Sequence, residues 1–194
     1  MTYRPKKLKF GAFFAPFHDD RTNPTVALER DMDLIQFMDQ WAFDEAWIGE
    51  HHSGAYECIA SPEVFIAGAA ERTRHIKLGT GVSSLSYHHP LILADRIAQL
   101  DHQTRGRLLF GVGPGQLIAD AYMMGVDPAK LRHRMGESLE VLVRLLDGEV
   151  VSKETDWFTL REARCHILPY QDRLPMVVAS AISPSGARLA GEHG

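Results

Sequence analysis

Ile76-Lys77-Leu78-Gly79-Thr80-Gly81-Val82, then His89-Pro90 with Leu93, Ile97 and Leu100 behind it, then Arg107-Leu108-Leu109-Phe110-Gly111-Val112, is the stretch that decides the fold. Two short apolar runs bracket a segment whose large aliphatic residues recur at helical spacing, with a proline where a first helical turn tolerates one. Strands separated by a helix pair in parallel, because a parallel return needs a long crossover and the helix supplies it.

The same rhythm extends in both directions. Upstream, Leu8 to Phe14 reads as a buried strand, and Asn23-Pro24 supplies a helix cap followed by proline at the first helical position. Leu28, Met32, Ile35, Met38 and Ala42 give that helix one apolar face. Ala46-Trp47-Ile48-Gly49 is a second strand, and Ser61-Pro62-Glu63 starts a helix running through Ala70. Downstream, a Gly/Pro-rich loop leads to a helix from Ala129 to Leu146, and Val150 to Ile167 is an irregular excursion with short strands. Met176-Val177-Val178-Ala179 is a fifth strand, and Ser183-Pro184-Ser185-Gly186 begins a further helix.

Alternating strands and helices leave two architectures, an open doubly wound sheet and a closed barrel. A closed (β/α)₈ barrel takes ~250 residues, and the 194 residues here carry four complete strand-helix units and the start of a fifth. The expectation is a single α/β domain over residues 1–194, either an open sheet or about the first five strands of a barrel. The final residues stop as a helix gets under way, which favours the incomplete barrel.

Composition excludes several function classes. At 45% hydrophobic and 24% charged residues the chain has the make-up of an ordinary globular protein. A net charge of -4 with no basic stripe gives no footprint for nucleic acid. No apolar run approaches the ~20 residues of a membrane span, and the basic N-terminus runs into a strand-like segment rather than an apolar signal region. Cys58 and Cys165 lack CxxC spacing, so neither a disulfide framework nor a metal site is expected, and the expected compartment is the cytosol.

In parallel α/β folds reactive groups gather where the strands end, and each candidate lies at such an end. Glu50-His51-His52 closes the second strand, where an imidazole can exchange a proton with a bound cofactor near neutral pH. The alternative is one satisfied core histidine and one solvated one; both on a single ion would require the strand to have ended already. Gly79-Thr80-Gly81-Val82-Ser83-Ser84 closes the third. Its glycines fit either a planar ligand lying on bare backbone or tight packing between elements. Gly111-Val112-Gly113-Pro114-Gly115 is not a dinucleotide fingerprint, since the spacing is wrong and no helix opens behind it; a ligand-facing loop is the better reading. Ser183-Pro184-Ser185-Gly186 is either an anion site at a helix start or a plain Ser/Pro cap. The carboxylates of Asp19-Asp20, Asp31-Asp33 and Glu154-Asp156 read as solvated faces.

Taken in order, Leu8 to Phe14, Trp47-Ile48-Gly49-Glu50-His51-His52, Leu78-Gly79-Thr80-Gly81-Val82, His89-Pro90 with Asp101, Gly106-Arg107, Phe110-Gly111-Val112-Gly113 and Val177-Val178-Ala179-Ser180-Ala181 with Ser183-Pro184-Ser185-Gly186 resemble the luciferase-like flavin-dependent monooxygenases. Tyr87-His88-His89-Pro90 and Gly113-Pro114-Gly115-Gln116 look closest to limonene 1,2-monooxygenase-like members. The resemblance implies a TIM barrel holding reduced FMN at its C-terminal mouth, with His51 beside the flavin. It implies a non-prolyl cis peptide at Gly81-Val82, with Ser83, Gly113, Ala179 and Ser180 as further cofactor contacts and Ser183, Ser185 and Gly186 as the phosphate turn. It further implies oxygenation of a small apolar substrate by O₂, a separate flavin reductase, and a homodimer. Phe13, Phe14 and Trp47 are candidates either for the pocket lining or for ordinary barrel core. Pro114 stands where some members carry an arginine, and a sister branch uses the deazaflavin F420, so F420-dependent hydride transfer is the competing expectation, with non-catalytic flavin binding a third.

Overall fold

The computed structural model describes residues 8–14, 17–54, 56–180 and 184–192. In chain order, β1 (Gly11–Phe14) leads through α1 (Pro24–Gln40) to β2 (Glu45–Ile48), and α2 (Pro62–Arg72) leads to β3 (Lys77–Thr80) and the short β4 (Ser83–Ser84). Then come α3 (Pro90–Thr104), β5 (Leu108–Gly113), α4 (Ile118–Met123), α5 (Leu131–Leu146), β6 (Val151–Glu154), β7 (Thr159–Ala163), β8 (Met176–Val178) and α6 (Ser185–Glu192).

The principal sheet is parallel throughout. β1 pairs β2, β2 pairs β3, β3 pairs β5 and β5 pairs β8, while β4 continues beyond β3 along the same β5. Spatial order therefore follows chain order without the reversal that defines a doubly wound sheet. That decides between the two architectures: the strands are laid out as in an arc of a barrel. β6 and β7 form a separate antiparallel hairpin, which accounts for the irregular excursion.

Alternation along the strands sorts the two faces. Phe14, Ala46, Ile48, Leu78, Leu108, Phe110 and Val112 belong to the core shared with Ile35, Met38, Ile66, Leu93, Ile97, Leu139 and Leu142 of the helices. The opposite, inner face carries Phe13, Trp47, Gly79 and Gly111, whose contacts with one another put them on one side. Phe14 is thus core, at 4% exposure, and does not line a pocket, whereas Phe13 is 63% exposed on the inner face. Among the described residues no helix is long and apolar enough to cross a membrane.

Local chemistry sets several boundaries. The Asn23 side chain accepts from Thr25 N–H at 2.9 Å, with Pro24 at the first helical position, as the sequence predicts. Asn23→Ala is expected to cost about 1 kcal/mol, read by urea unfolding. The apolar face of α1 holds through Met38, but Ala42 lies past the helix end at φ 58° and is exposed. The first strand is shorter than expected, with Leu8 and Phe10 exposed before it. The expected helix from Ala129 opens as a 3-10 turn, Pro128–Lys130, and becomes α-helical at Leu131. α4 falls in the stretch read as loop, because six residues are too few to display a period. β3 stops at Thr80, short of the expected Val82; the peptide Gly81–Val82 is cis, as the resemblance implies, and pairing resumes at Ser83.

Close packing on the inner face requires Gly111. A Cβ there would collide with the Thr80 carbonyl oxygen and lie 3.1 Å from the Trp47 ring. Backbone cannot swing aside, so Gly111→Ala is expected to lose about 1–3 kcal/mol. Gly136, inside α5 with nothing within 4 Å of a Cβ position, is the contrast: Gly136→Ala is expected to gain about 0.5–1 kcal/mol. Paired urea titrations check both signs.

Candidate functional site

All strands of the parallel sheet end at one edge, and the pairing sets those ends side by side. Gly81 N–H donates to Ile48 O at 2.6 Å, Ser84 is in register with Gly113, and Ala179 N–H donates to Val112 O at 3.0 Å. A Cβ at Gly186 would come within 2.7 Å of Ser180 Cβ, so the start of α6 abuts the end of β8. His51, Gly81, Val82, Ser83, Gly113, Ala179, Ser180 and Gly186 thus lie along one rim. Ser185 is the first residue of α6, and Ser183 lies outside the described residues.

β2 has ended at Ile48 before the histidines arrive, and the two rings go to different carboxylates. His51, 24% exposed at its side chain, places Nε2 2.8 Å from Glu57 Oε2 and Nδ1 3.6 Å from Asp120 Oδ2. Neither approach has hydrogen-bond alignment, and Nδ1 is buried without a hydrogen-bond partner. Asp120, buried on α4, also accepts from His52 N–H through Oδ1 at 3.3 Å. The imidazole of His51 is therefore flanked by two acidic groups. The sequence-based alternative, one core histidine and one solvated, is corrected: both are half-buried beside acids.

Glu50 is the hub of the second system, with no side-chain exposure. Its Oε1 accepts from His52 Nε2 at 2.8 Å and His88 Nε2 at 2.9 Å, and its Oε2 accepts from Ser84 N–H at 2.7 Å. Arg96 donates to His88 Nδ1 at 3.1 Å, which directs the His88 Nε2–H at Glu50. Burial opposes ionisation of Glu50, but the bonds from His52 and His88 and the Ser84 amide outweigh it and hold its pKa down at about 2. The His52 pKa is raised, first by its bond to Glu50, against burial, and further by the charges of Glu50, Asp120 and Glu63. This network fastens the end of β2 to the backbone just past the cis peptide.

Nothing in the sequence picked out Glu57, Asp120 or the Glu50–His88 bond. Glu50 and His88 stand inside quoted motifs, but Asp120 has no local signal at all, because it reaches His51 only through the placement of α4. Packing accounts for the glycines of the third strand and the end of β5: the space beside Gly79 is filled by the Trp47 ring, that beside Gly81 by Trp47 and Phe13, and that beside Gly113 by Val82. What the rim leaves unsatisfied is polar: Ser83 Oγ and Tyr87 OH, like His51 Nδ1, are buried without hydrogen-bond partners. Gly115, at φ +78°, closes the loop after β5 over the Tyr87 ring, 2.7 Å from where its Cβ would be.

Comparison with known proteins agrees with this layout. Residues 8–194 match the family described as luciferase-like monooxygenase. The chain is 49% identical over 188 residues to limonene 1,2-monooxygenase of Rhodococcus erythropolis, covering 97% of this chain and 48% of that protein. It is 50% identical over 191 residues to 4-hydroxyprotoasukamycin monooxygenase of Streptomyces nodosus subsp. asukaensis, covering 97% and 52%. The oxygenating constituent of 3,6-diketocamphane monooxygenase from the CAM plasmid of Pseudomonas putida, a type II Baeyer–Villiger monooxygenase solved in complex with FMN, matches with a TM-score of 0.85 at 27% identity, over 95% of this chain and 54% of that one. The chain spans about half the length of the curated relatives it matches. Strand order, the rim of strand ends and the family match over nearly every residue converge: the chain belongs to the luciferase-like monooxygenase family.

Proposed function

We propose that this chain forms part of the cofactor mouth of a flavin-dependent monooxygenase that uses reduced FMN and O₂ to place one oxygen atom in a small apolar substrate. The observation that carries the proposal is the single rim on which His51, the Gly81–Ser83 backbone, Gly113 and Ser180 stand. The unsatisfied Ser83 Oγ and His51 Nδ1 suit the carbonyls and ring nitrogens of an isoalloxazine, which needs partners at its edge. At the far end of the rim stands the start of α6, and a helix N-terminus suits a phosphate; Pro114 contributes no cation there.

Reduced FMN, when bound, supplies the electrons for the oxygen chemistry. The chain's own residues do the rest. His51 holds or passes a proton at the cofactor edge, and Glu57 and Asp120 keep its ring in place. The Glu50 network holds the backbone after Val82, so the rim keeps its shape. Phe13 and Trp47 give an apolar wall that orients substrate and excludes water. We assign delivery of reduced FMN to a separate reductase, in keeping with a relative described as an oxygenating constituent, and the active form to a homodimer.

Spectral titration of the full-length protein with FMN and, separately, F420 tests the cofactor; O₂ uptake with reduced FMN and a monoterpene tests the reaction. FMN binding with substrate-dependent O₂ uptake is expected. Binding of F420 alone would replace oxygenation by hydride transfer, and FMN binding without turnover would leave a flavin-binding protein.

A further inference from the structure

His18, Asp31 and Cys58 take no part in that rim, yet the structure gathers them. An imidazole nitrogen, a carboxylate oxygen and a thiol sulfur, one from each, all lie within 4.8 Å of one another. His18 stands in the loop after β1, Asp31 on α1 and Cys58 in the loop after β2. The two loops are joined by His18 N–H donating to Tyr56 O at 2.8 Å.

Asp31 does not lie on the solvated face the sequence suggested. It is 5% exposed, on the same side of α1 as Ala27, Met32 and Ile35, and its side chain has a hydrogen bond to His18 Nε2 at 2.9 Å. A carboxylate placed so deep is costly unless a positive charge answers it. One sulfur, one nitrogen and one oxygen ligand form a zinc donor set, three protein ligands leaving a fourth position for water. The thiolate rules against magnesium or calcium, which take oxygen ligands.

We propose that His18, Asp31 and Cys58 bind one Zn²⁺, with water as fourth ligand, stapling the β1–α1 loop to the β2–α2 loop. Tetrahedral zinc wants ligand atoms roughly 3.5 Å apart, so side-chain rotation closes the cluster. On binding, the Cys58 thiol releases its proton to solvent, and His18 coordinates as neutral imidazole with its hydrogen on the other ring nitrogen. Thiolate and carboxylate then balance the dication. Because Cys58 follows Glu57, the metal also anchors the acid beside His51.

The test uses metal-free purified protein and Co²⁺ or Zn²⁺ alone. One Co²⁺ per chain is expected, with thiolate-to-cobalt charge-transfer absorption in the near ultraviolet. That band is lost in Cys58→Ser and kept in Cys165→Ser. Asp31→Asn weakens Co²⁺ binding by roughly tenfold or more, since even outer-shell losses cost that much. Independently of any variant, Zn²⁺ protects Cys58 but not Cys165 from alkylation. Absence of the band, its survival in Cys58→Ser, or alkylation of Cys58 that ignores Zn²⁺ overturns the site. None of these readouts depends on flavin.

Discussion

Glu50→Ala is expected to cost about 3–5 kcal/mol of folding stability, the range for removing one member of a buried charged network. The substitution strands the His52 and His88 N–H groups and the Ser84 amide, all of which now converge on one carboxylate without solvent contact. The depressed pKa reflects the same bonds: a fall from 4.5 to about 2 corresponds to roughly 3 kcal/mol at 1.36 kcal/mol per unit. The sign follows from linkage. A carboxylate with a lowered folded-state pKa contributes its full stability above its unfolded pKa, near 4.5, and loses it as pH falls toward about 2. His52 has a raised pKa, so its share is complete below its ordinary value of 6.5 and fades as pH rises through the raised one. The gap between wild type and Glu50→Ala should therefore be widest from about pH 4.5 to 6.5 and narrow toward acid. Urea midpoints across pH check this; a gap that does not change with pH would show that Glu50 acts by packing rather than by charge. Glu50→Gln should lose less, since it keeps the shape and one acceptor.

His51→Ala is expected to lower turnover of the full-length oxygenase by roughly 10²–10⁴-fold, the span of positioned proton transfer, while FMN affinity changes far less. The asymmetry follows from the proposed function, in which cofactor contacts are spread over several strand ends while proton exchange is assigned to one half-buried imidazole. Glu57 and Asp120 stand 2.8 Å and 3.6 Å from its two nitrogens, so Asp120→Asn should lower turnover by a smaller factor. Stopped-flow turnover with reduced FMN separates the two variants. Full turnover in His51→Ala would remove the proton-transfer role and leave only the binding surface.

Much of this was legible before any coordinates. Asn23-Pro24 announced α1 because a cap and a first-turn proline act within a few residues, and Leu93, Ile97 and Leu100 announced α3 because a helix repeats its face locally. The approximate positions of the strands follow from the same local rules, although β3 stops at Thr80, short of the expected Val82. Motif order from Trp47 to Ser180 pointed to the family correctly. The gaps share one physical origin. The sequence leaves Phe13 and Phe14 open between pocket and core, because alternation says that neighbours face apart, not which of the two faces the helices. Asp31 was read as surface because a carboxylate's burial depends on a partner, His18, that arrives from another loop.

By itself, then, the sequence determined the strand-helix rhythm and the caps, since periodicity and turn chemistry act over a handful of residues, and the order of its motifs carried the resemblance to the family. Only the tertiary structure decided that the strands run in unbroken order, that Glu50 gathers His52, His88 and Ser84, that Asp120 reaches His51, and that His18, Asp31 and Cys58 meet. Each of those is a contact between segments distant in the chain, created by sheet pairing and helix packing and leaving no trace in local spacing.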